Sequence, residues 1–557
     1  MKKGTLIQQL FTIIIVLILI NVLGSYAYHR FDLTQDKRYT LSETTKDIIS
    51  RVDSPVIIDV LLEGDFPAEF KKLQLEVRQL LEEFASYNRN IKFSFVNPLE
   101  DENQADQVIA QLGNLGLKPA NITVEEGGKV SQEIVFPWAM ANLGDNTVRV
   151  PLLKNKLGTS SEQRVNNSIQ QLEYAFADAL TKLTIREKKS VAVIKGNGEL
   201  SDIYITDFIR SLQEYYNVAP FTLDSVAGNP QGTLDAIKNY DLAIVAKPTE
   251  AFSDEEKYIM DQYVMNGGKS MWLIDQVAIE LDSLYNERGR SLAFPIDLNL
   301  NDMFFKYGLR INPVLVNDLY FTQIVLAQGE GNESQYNPVP WVYNPMVFSA
   351  NDHPINNNIE ALRFQFSNAI DTLSVKGVKK SVLLTSSPLS KTVGTPSEIS
   401  LDIITKAPDQ ESYKDGFKPL AVLLEGNFTS VFKNRVKPAK LSGVKDDGEN
   451  SKMIVIADGD LIKNQIRQGQ PLELGYDKWT NSFYGNKEFL MNSVNYLLDD
   501  NGLINIRSKE VSIPFLDQKK VVAQKSTWQL LNTGLPLLIL GLFAWGFNFI
   551  RKKKFRA

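Results

Sequence analysis

The 557-residue chain is 43% hydrophobic and 23% charged, proportions of ordinary globular protein, and a mean hydropathy of -0.17 excludes a polytopic transporter built mostly of spans. A net charge of -6 offers no basic field to nucleic acid. The lack of cysteine excludes thiolate metal sites, disulfide scaffolds and cysteine nucleophiles, and the only histidines, His29 and His353, leave any histidine-based centre to His353 in the turn-like NDHPINNN, read as a solvated loop residue.

The first element, Thr5 to Gly24, is an uncharged Ile/Leu/Val-rich run. At about 1.5 Å rise per residue it crosses a hydrocarbon layer roughly 30 Å thick. Ser25-Tyr26-Ala27 has the small-x-small form of a cleavage site, but the apolar run exceeds a signal-peptide core, so residues 1–28 are expected to be an uncleaved anchor. After it, Ser42 is placed to cap a short helix carrying Ile48 and Ile49 on one face and ending near Pro55, a spacer at the membrane surface.

Residues 29–185 then read as a thioredoxin-like α/β domain. VIIDVLLEG (Val56–Gly64) is a buried strand, Pro67–Tyr87 an amphipathic helix and Ile91–Pro98 a parallel partner strand, which together make a βαβ unit. Strands at Asn121–Glu126, Ser131–Trp138 and Asn146–Leu153 and a helix from Glu162 to Leu183 complete it. Without cysteine, such a fold is a scaffold and not a redox enzyme.

Residues 186–505 read as a doubly wound, flavodoxin- or amidotransferase-like domain. Strands at Ser190–Lys195, Tyr240–Pro248 and Lys269–Asp275 alternate with helices, one capped by Ser201 or Asp202 and one opened by a Ser253/Glu256 capping box. Ser451–Asp460 is expected in the same sheet although far away in sequence, and NKEFLMNSVNYLLDD is an amphipathic helix. The segment between, with GEGNESQYNPVPW and NDHPINNN, reads as an inserted loop-rich lobe, in which the aromatic Val339–Phe348 is core or else a peptide- or sugar-binding surface.

Residues 506–526 form a linker, and 527–550 are expected to form a second membrane helix that tolerates Gly534 and Pro536. Lys2 and Lys3 precede the first span and Arg551, Lys552, Lys553, Lys554 and Arg556 follow the second, so both ends are expected on the cytoplasmic side of an inner membrane, with the main domains periplasmic.

Open α/β sheets bind ligands at the C-terminal ends of their strands. Five residues stand there as candidate ligand-binding groups: Asn197 and Glu199 in GNGE, Asp275 in LIDQ, and Asp458 and Asp460 in DGD. GNGE lacks the third glycine of a dinucleotide loop and the lysine of a P-loop, and DGD lacks the calcium-loop frame. No cofactor, metal or catalytic residue is therefore expected. A Glu199/Asp275 carboxylate pair for glycoside hydrolysis is the enzymatic alternative, a membrane-tethered envelope hydrolase or glycan-processing enzyme.

The juxtamembrane RFDLTQDKRYTLS, VAVIKGNGEL, MIVIADGD and the two terminal spans, in this order across the whole chain, resemble the gliding-motility-associated GldG family of ABC transporter auxiliary proteins. The resemblance implies a non-enzymatic scaffolding subunit that joins a polytopic permease, a separate cytoplasmic ATPase, the lipid bilayer and cell-envelope or motility proteins. Members of that family often carry histidine where Asn197 stands, a departure that argues against a catalytic turn here. No Walker motif is present, so ATP hydrolysis falls to another subunit.

Overall fold

A computed structural model describes residues 12–13, 15–16, 40–64, 66–126, 129–154, 160–328, 335–349, 351–499, 502–508 and 518–555. Residues 39–509 make one compact unit, and the segment from Glu510 onward belongs to another.

The larger unit begins with helix α1 (Glu43–Ser50), where the Ser42 hydroxyl accepts the Thr45 N–H at 3.2 Å as an N-cap. The Ser42 N–H and Thr45 hydroxyl both donate to Glu173 at 2.7 Å. Ile48, Ile49 and Val52 are buried in a core, so this helix is an integral part of a domain and not the free spacer expected from its position. Strand β1 (Val56–Val60) is crossed over by helix α2 (Ala68–Tyr87) to the parallel β2 (Ile91–Phe95), as the alternation of apolar residues predicts. Strands β3 (Ala120–Glu126) and β4 (Lys129–Val135) pair as a separate hairpin, and β5 (Trp138–Leu143) and β6 (Asn146–Pro151) complete a mixed sheet of order β2-β1-β5-β6.

Two boundaries differ from the sequence reading. The expected strand Ser131–Trp138 breaks after Val135, because Pro137 offers no N–H to a ladder, and β5 starts afresh at Trp138. The expected helix Glu162–Leu183 is two, α3 (Ser161–Ile169) and α4 (Leu172–Thr184). The apolar spacing Val165, Ile169, Leu172, Phe176 runs unbroken through the bend at Gln170, so periodicity alone reads one helix.

The second sheet has seven strands. β7 (Ser190–Lys195), β8 (Asn217–Thr222), β9 (Leu242–Ala246), β10 (Lys269–Leu273), β11 (Val378–Thr385), β12 (Pro419–Thr429) and β13 (Asp447–Ile456) lie in the order β11-β12-β13-β10-β9-β7-β8. The five strands from β13 to β8 are parallel, and β12 and β11 are antiparallel additions. Alternate residues face opposite cores. Val193, Ile244, Leu273 and Ile454 meet helices α5 (Asp202–Gln213) and α8 (Asn486–Leu498), whereas Ile194, Val245, Trp272 and Val455 meet α6 (Pro230–Ile237) and α7 (Asp254–Met265). Helix α7 opens with the expected capping box, the Ser253 hydroxyl accepting the Glu256 N–H at 3.1 Å and Glu256 Oε2 accepting the Ser253 N–H at 2.7 Å. Ser201 stands at the N-cap of α5 without a side-chain capping bond.

The inserted lobe is strand-rich rather than loop-rich. Phe321–Gln328 pairs with Gln335–Val347 and Val314–Asp318 with Ser390–Gly394, around a core that includes Trp341, Leu315, Phe366 and Ile399. Proline normally argues against a strand, but Pro338 and Pro340 are two residues apart, so both missing N–H groups fall on the same edge, and that edge is unpaired there. Within Val339–Phe348, Trp341, Val342 and Tyr343 are core and Phe348 is exposed.

The turn Leu503–Ser508, read from sequence as domain end and linker, returns to the first sheet: Leu503 and Ile506 lie in the same core as Ile48 and Leu172, and the turn packs against both α1 and α4. In the other unit, helix α9 (Gln518–Phe555) contains Gln524–Lys553, which among the described residues is the one segment long and apolar enough to cross a membrane, and none of its apolar window is buried. The expected span Thr5–Gly24 lies almost entirely outside the described residues.

Candidate functional site

At the C-terminal ends of β9, β10 and β13 the chain gathers charge. Lys247 follows β9 directly in a left-handed conformation (φ 55°), its N–H donating to the Leu273 carbonyl at 2.9 Å. Asp275 lies two residues beyond β10. Beyond β13, Asp458 caps a short turn by accepting the Asp460 N–H at 2.7 Å, while its other oxygen accepts the Gln365 N–H at 2.6 Å. The Lys247 ammonium is 2.7 Å from Asp460 Oδ2 and 3.4 Å from Asp275 Oδ2, and it also pairs with Glu280. Lys463 closes the network at 3.2 Å from Asp460 and 3.5 Å from Glu280. Only Gly459 permits this approach: its N–H donates to Asp275 Oδ1 at 2.6 Å, and a β-carbon there would press on Lys247 Cγ and lie 2.6 Å from Lys247 Cβ.

Burial and charge divide the carboxyls. Burial pushes Asp275 up to about 6, with Lys247 pulling against it and Asp460 adding to it. Burial, reinforced by Asp275 and Asp460, holds Asp458 well above the usual carboxylate range, and its two N–H bonds offset only part of this. Burial acts upward on Asp460 too, but Lys247 and Lys463 outweigh it and hold that carboxyl low. Burial acts downward on Lys247 and is overcome by Asp275, Asp460 and Glu280, which keep its ammonium protonated. The ammonium thus occupies the space between carboxylates where a divalent cation would sit. Among the described residues no group of three or more histidine or carboxylate side chains is arranged to hold a metal ion.

The other two candidates serve a different purpose. The Asn197 N–H donates to Glu199 Oε2 at 2.8 Å and the Asn197 amide to Glu256 at 3.2 Å, and burial raises Glu199. The Asn197 carbonyl accepts both the Thr249 and Glu250 N–H groups at 3.0 Å, and the Leu200 N–H reaches the Ala246 carbonyl at 3.1 Å. Strand order reverses between β7 and β9, the place where such sheets open a ligand crevice. Here these backbone bonds staple that crevice shut. Asp275, Asp458 and Asp460 are thus brought together, whereas among the described residues no hydrogen bond or ion pair joins them to Asn197 or Glu199. Lys247, Glu280 and Lys463 escaped the sequence reading. The rule that selected Asp275, a charged residue just past a buried strand, also fits Lys247 in AIVAKP.

An open cleft of about 740 Å³ adjoins the network, between the lobe and the segment after β13, with Glu280, Asp460 and Lys463 on its wall. Arg363, 3.5 Å from Asp477, also lines it, as do Tyr336 and Trp479. His353 is elsewhere: its Nδ1 accepts the Ile355 N–H at 3.3 Å and its ring packs 4.9 Å from that of Tyr496, so it holds a turn.

Residues 188–493, more than half of the chain, match the model of a family described as an ABC-type uncharacterized transport system, and residues 35–142 match a domain of unknown function, DUF7088. An uncharacterized protein of Borreliella burgdorferi is 22% identical over 537 residues, covering 95% of this chain and 92% of that protein. Among solved structures, the mmIFT52 N-terminal domain aligns at 12% identity with a TM-score of 0.31, over 56% of this chain and 98% of that one. A putative ThuA-like protein of Parabacteroides merdae aligns at 11% with a TM-score of 0.24, over 54% of this chain and 99% of that one.

Proposed function

Because the chain belongs to the ABC-type uncharacterized transport system family, an auxiliary family of ABC transporters, we propose that it is a non-enzymatic membrane subunit of such a complex that serves bacterial gliding motility. Its folded mass lies in the periplasm and scaffolds or captures a partner, while both ends are anchored in the inner membrane beside a polytopic permease whose cytoplasmic ATPase supplies the energy. The observation that carries this reading is the meeting of the two ends of the folded unit. α1, which follows the expected first span in sequence, and Leu503–Ser508, which precedes the helix Gln524–Lys553 in sequence, pack on one another, so the parts of the folded unit that adjoin the two expected anchors in the chain lie together.

The non-enzymatic assignment is supported by the state of the carboxylates. Asp275 and Asp460 are bound to Lys247, and Asp458 is held by two backbone N–H groups, so none is free to act on a substrate. The strand order β2-β1-β5-β6, parallel in its first pair and antiparallel in its second and third, supports a thioredoxin-like scaffold, and the five parallel strands support an amidotransferase-like one.

Affinity purification of the full chain from membranes in mild detergent, followed by identification of associated proteins, tests the reading. A permease and an ATPase are expected at stoichiometric yield, and a reporter inserted near Asn286 is expected on the periplasmic side. Recovery of the chain with neither transporter subunit, or a cytosolic reporter, overturns it.

A further inference from the structure

The open cleft has a composition that selects a ligand class. Tyr336, from the long lobe hairpin, and Trp479, from the loop after Tyr476–Asp477, stack at 5.3 Å with 26° between their planes, although 60% and 49% of each residue is exposed. Two large rings held parallel and left half in water form an apolar platform on the cleft wall, drawn from two separate parts of the fold. Of the cations on this wall, Lys463 is paired with Asp460 and Glu280 and Arg363 with Asp477, while the Lys478 ammonium donates to the Ile466 carbonyl at 2.8 Å and stands 5.2 Å over the Trp479 ring. An anionic ligand entering at Lys463 or Arg363 would have to displace these carboxylates, and a wholly apolar ligand would bury them without compensation. A hydroxyl-rich neutral ring meets neither obstacle. It lays its C–H face on the aromatic platform and exchanges hydrogen bonds with carboxylates and the guanidinium. The volume of about 740 Å³ lies within the range of small-ligand sites and holds more than one such ring.

We propose that this cleft binds an uncharged oligosaccharide, with Tyr336 and Trp479 as the stacking platform and Arg363 as a hydrogen-bond donor. The inference does not depend on association with a transporter, since it concerns a site contained in this chain.

The test uses the full chain in a detergent without a sugar headgroup. An array of uncharged gluco-, manno-, galacto- and N-acetylglucosamine oligosaccharides is screened, and the best ligand is titrated by tryptophan fluorescence and calorimetry, with inorganic phosphate and a tetrapeptide as comparison probes. Binding of at least one oligosaccharide is expected. Trp479→Ala and Tyr336→Ala should each weaken it about tenfold or more, and Trp479→Phe should stay within roughly threefold of wild type. Melting curves of the three variants identify any that fail to fold, and the conservative Phe variant keeps the comparison valid if the alanine variants do. No oligosaccharide bound at millimolar concentration overturns the proposal. So does binding indifferent to Trp479 and Tyr336 in folded variants, or occupation of this cleft by phosphate or peptide in place of sugar.

Discussion

Replacing Lys247 by Met keeps most of the side-chain volume and removes the charge at the centre of the buried network. The wild-type ammonium, 6% exposed, is 2.7 Å from Asp460 and 3.4 Å from Asp275, which are themselves 6% and 9% exposed. Removing one partner of a buried ion pair costs about 3–5 kcal/mol, because the carboxylates left behind are neither solvated nor neutralised. The contact with Glu280 adds little, since that side chain is 44% exposed and screened by water. With a urea slope of about 3 kcal/mol/M, the midpoint falls by about 1–1.7 M. The deficit depends on pH. Asp275 already sits at about 6, above its unfolded value, so its contribution to stability is present at low pH and is lost as pH rises through that value. Losing Lys247 raises Asp275 further and removes the main charge that holds Asp460 low, so the variant should be most impaired at pH 7–8 and least below about pH 4. Urea denaturation of the full chain in detergent, followed by tryptophan fluorescence at pH 4.5 and 7.5, reads both effects. The double variant Lys247→Met/Asp460→Asn should recover part of the loss. Equal midpoints for wild type and Lys247→Met at pH 7.5, or a loss larger at pH 4.5, would refute the reasoning.

Gly459→Ala should lose about 1–3 kcal/mol, since the added methyl meets Lys247 and lies 3.0 Å from Asp275 Oδ2; thermal denaturation measures it. Asp275→Asn removes a group titrating at about 6, so the dependence of stability on pH between about 4 and 6 should flatten relative to wild type in the same urea assay. Ser253→Ala breaks the capping box of α7 and should cost about 1 kcal/mol, visible as a lowered melting temperature with the cleft intact. Trp341→Ala empties the core of the lobe and should cost about 3–5 kcal/mol, with proteolytic cleavage of the lobe preceding that of the seven-stranded sheet.

The elements visible in the sequence are those whose stabilisation is local. Buried strands such as β7, β9 and β10 are short apolar runs bounded by turn residues, and the caps at Ser42 and Ser253 are satisfied within three residues. The membership of β13 in the same sheet was also legible, because a run as apolar as MIVI suits a sheet covered on both faces, whereas its place beside β10 was not. The lobe strands were hidden by Pro338 and Pro340, which are harmless only because the edge they face is unpaired, a fact of pairing and not of composition.

The candidate site divides along the same line. Asp275, Asp458 and Asp460 could be named from their positions after strands, and their sequence determined that they stand at one end of the sheet. That they surround Lys247 was decided by tertiary structure, for Asp460 lies 213 residues away from it. The return of Leu503 and Ile506 to the first core is of the same kind. A strand run, a cap or an apolar helix of membrane length is written in neighbouring residues because its periodicity and hydrogen bonds are local. Which ammonium meets which carboxylate, and which rings line a cleft, depends on contacts that exist only after distant segments have packed, since Coulombic and packing energies follow distance in space and not along the chain.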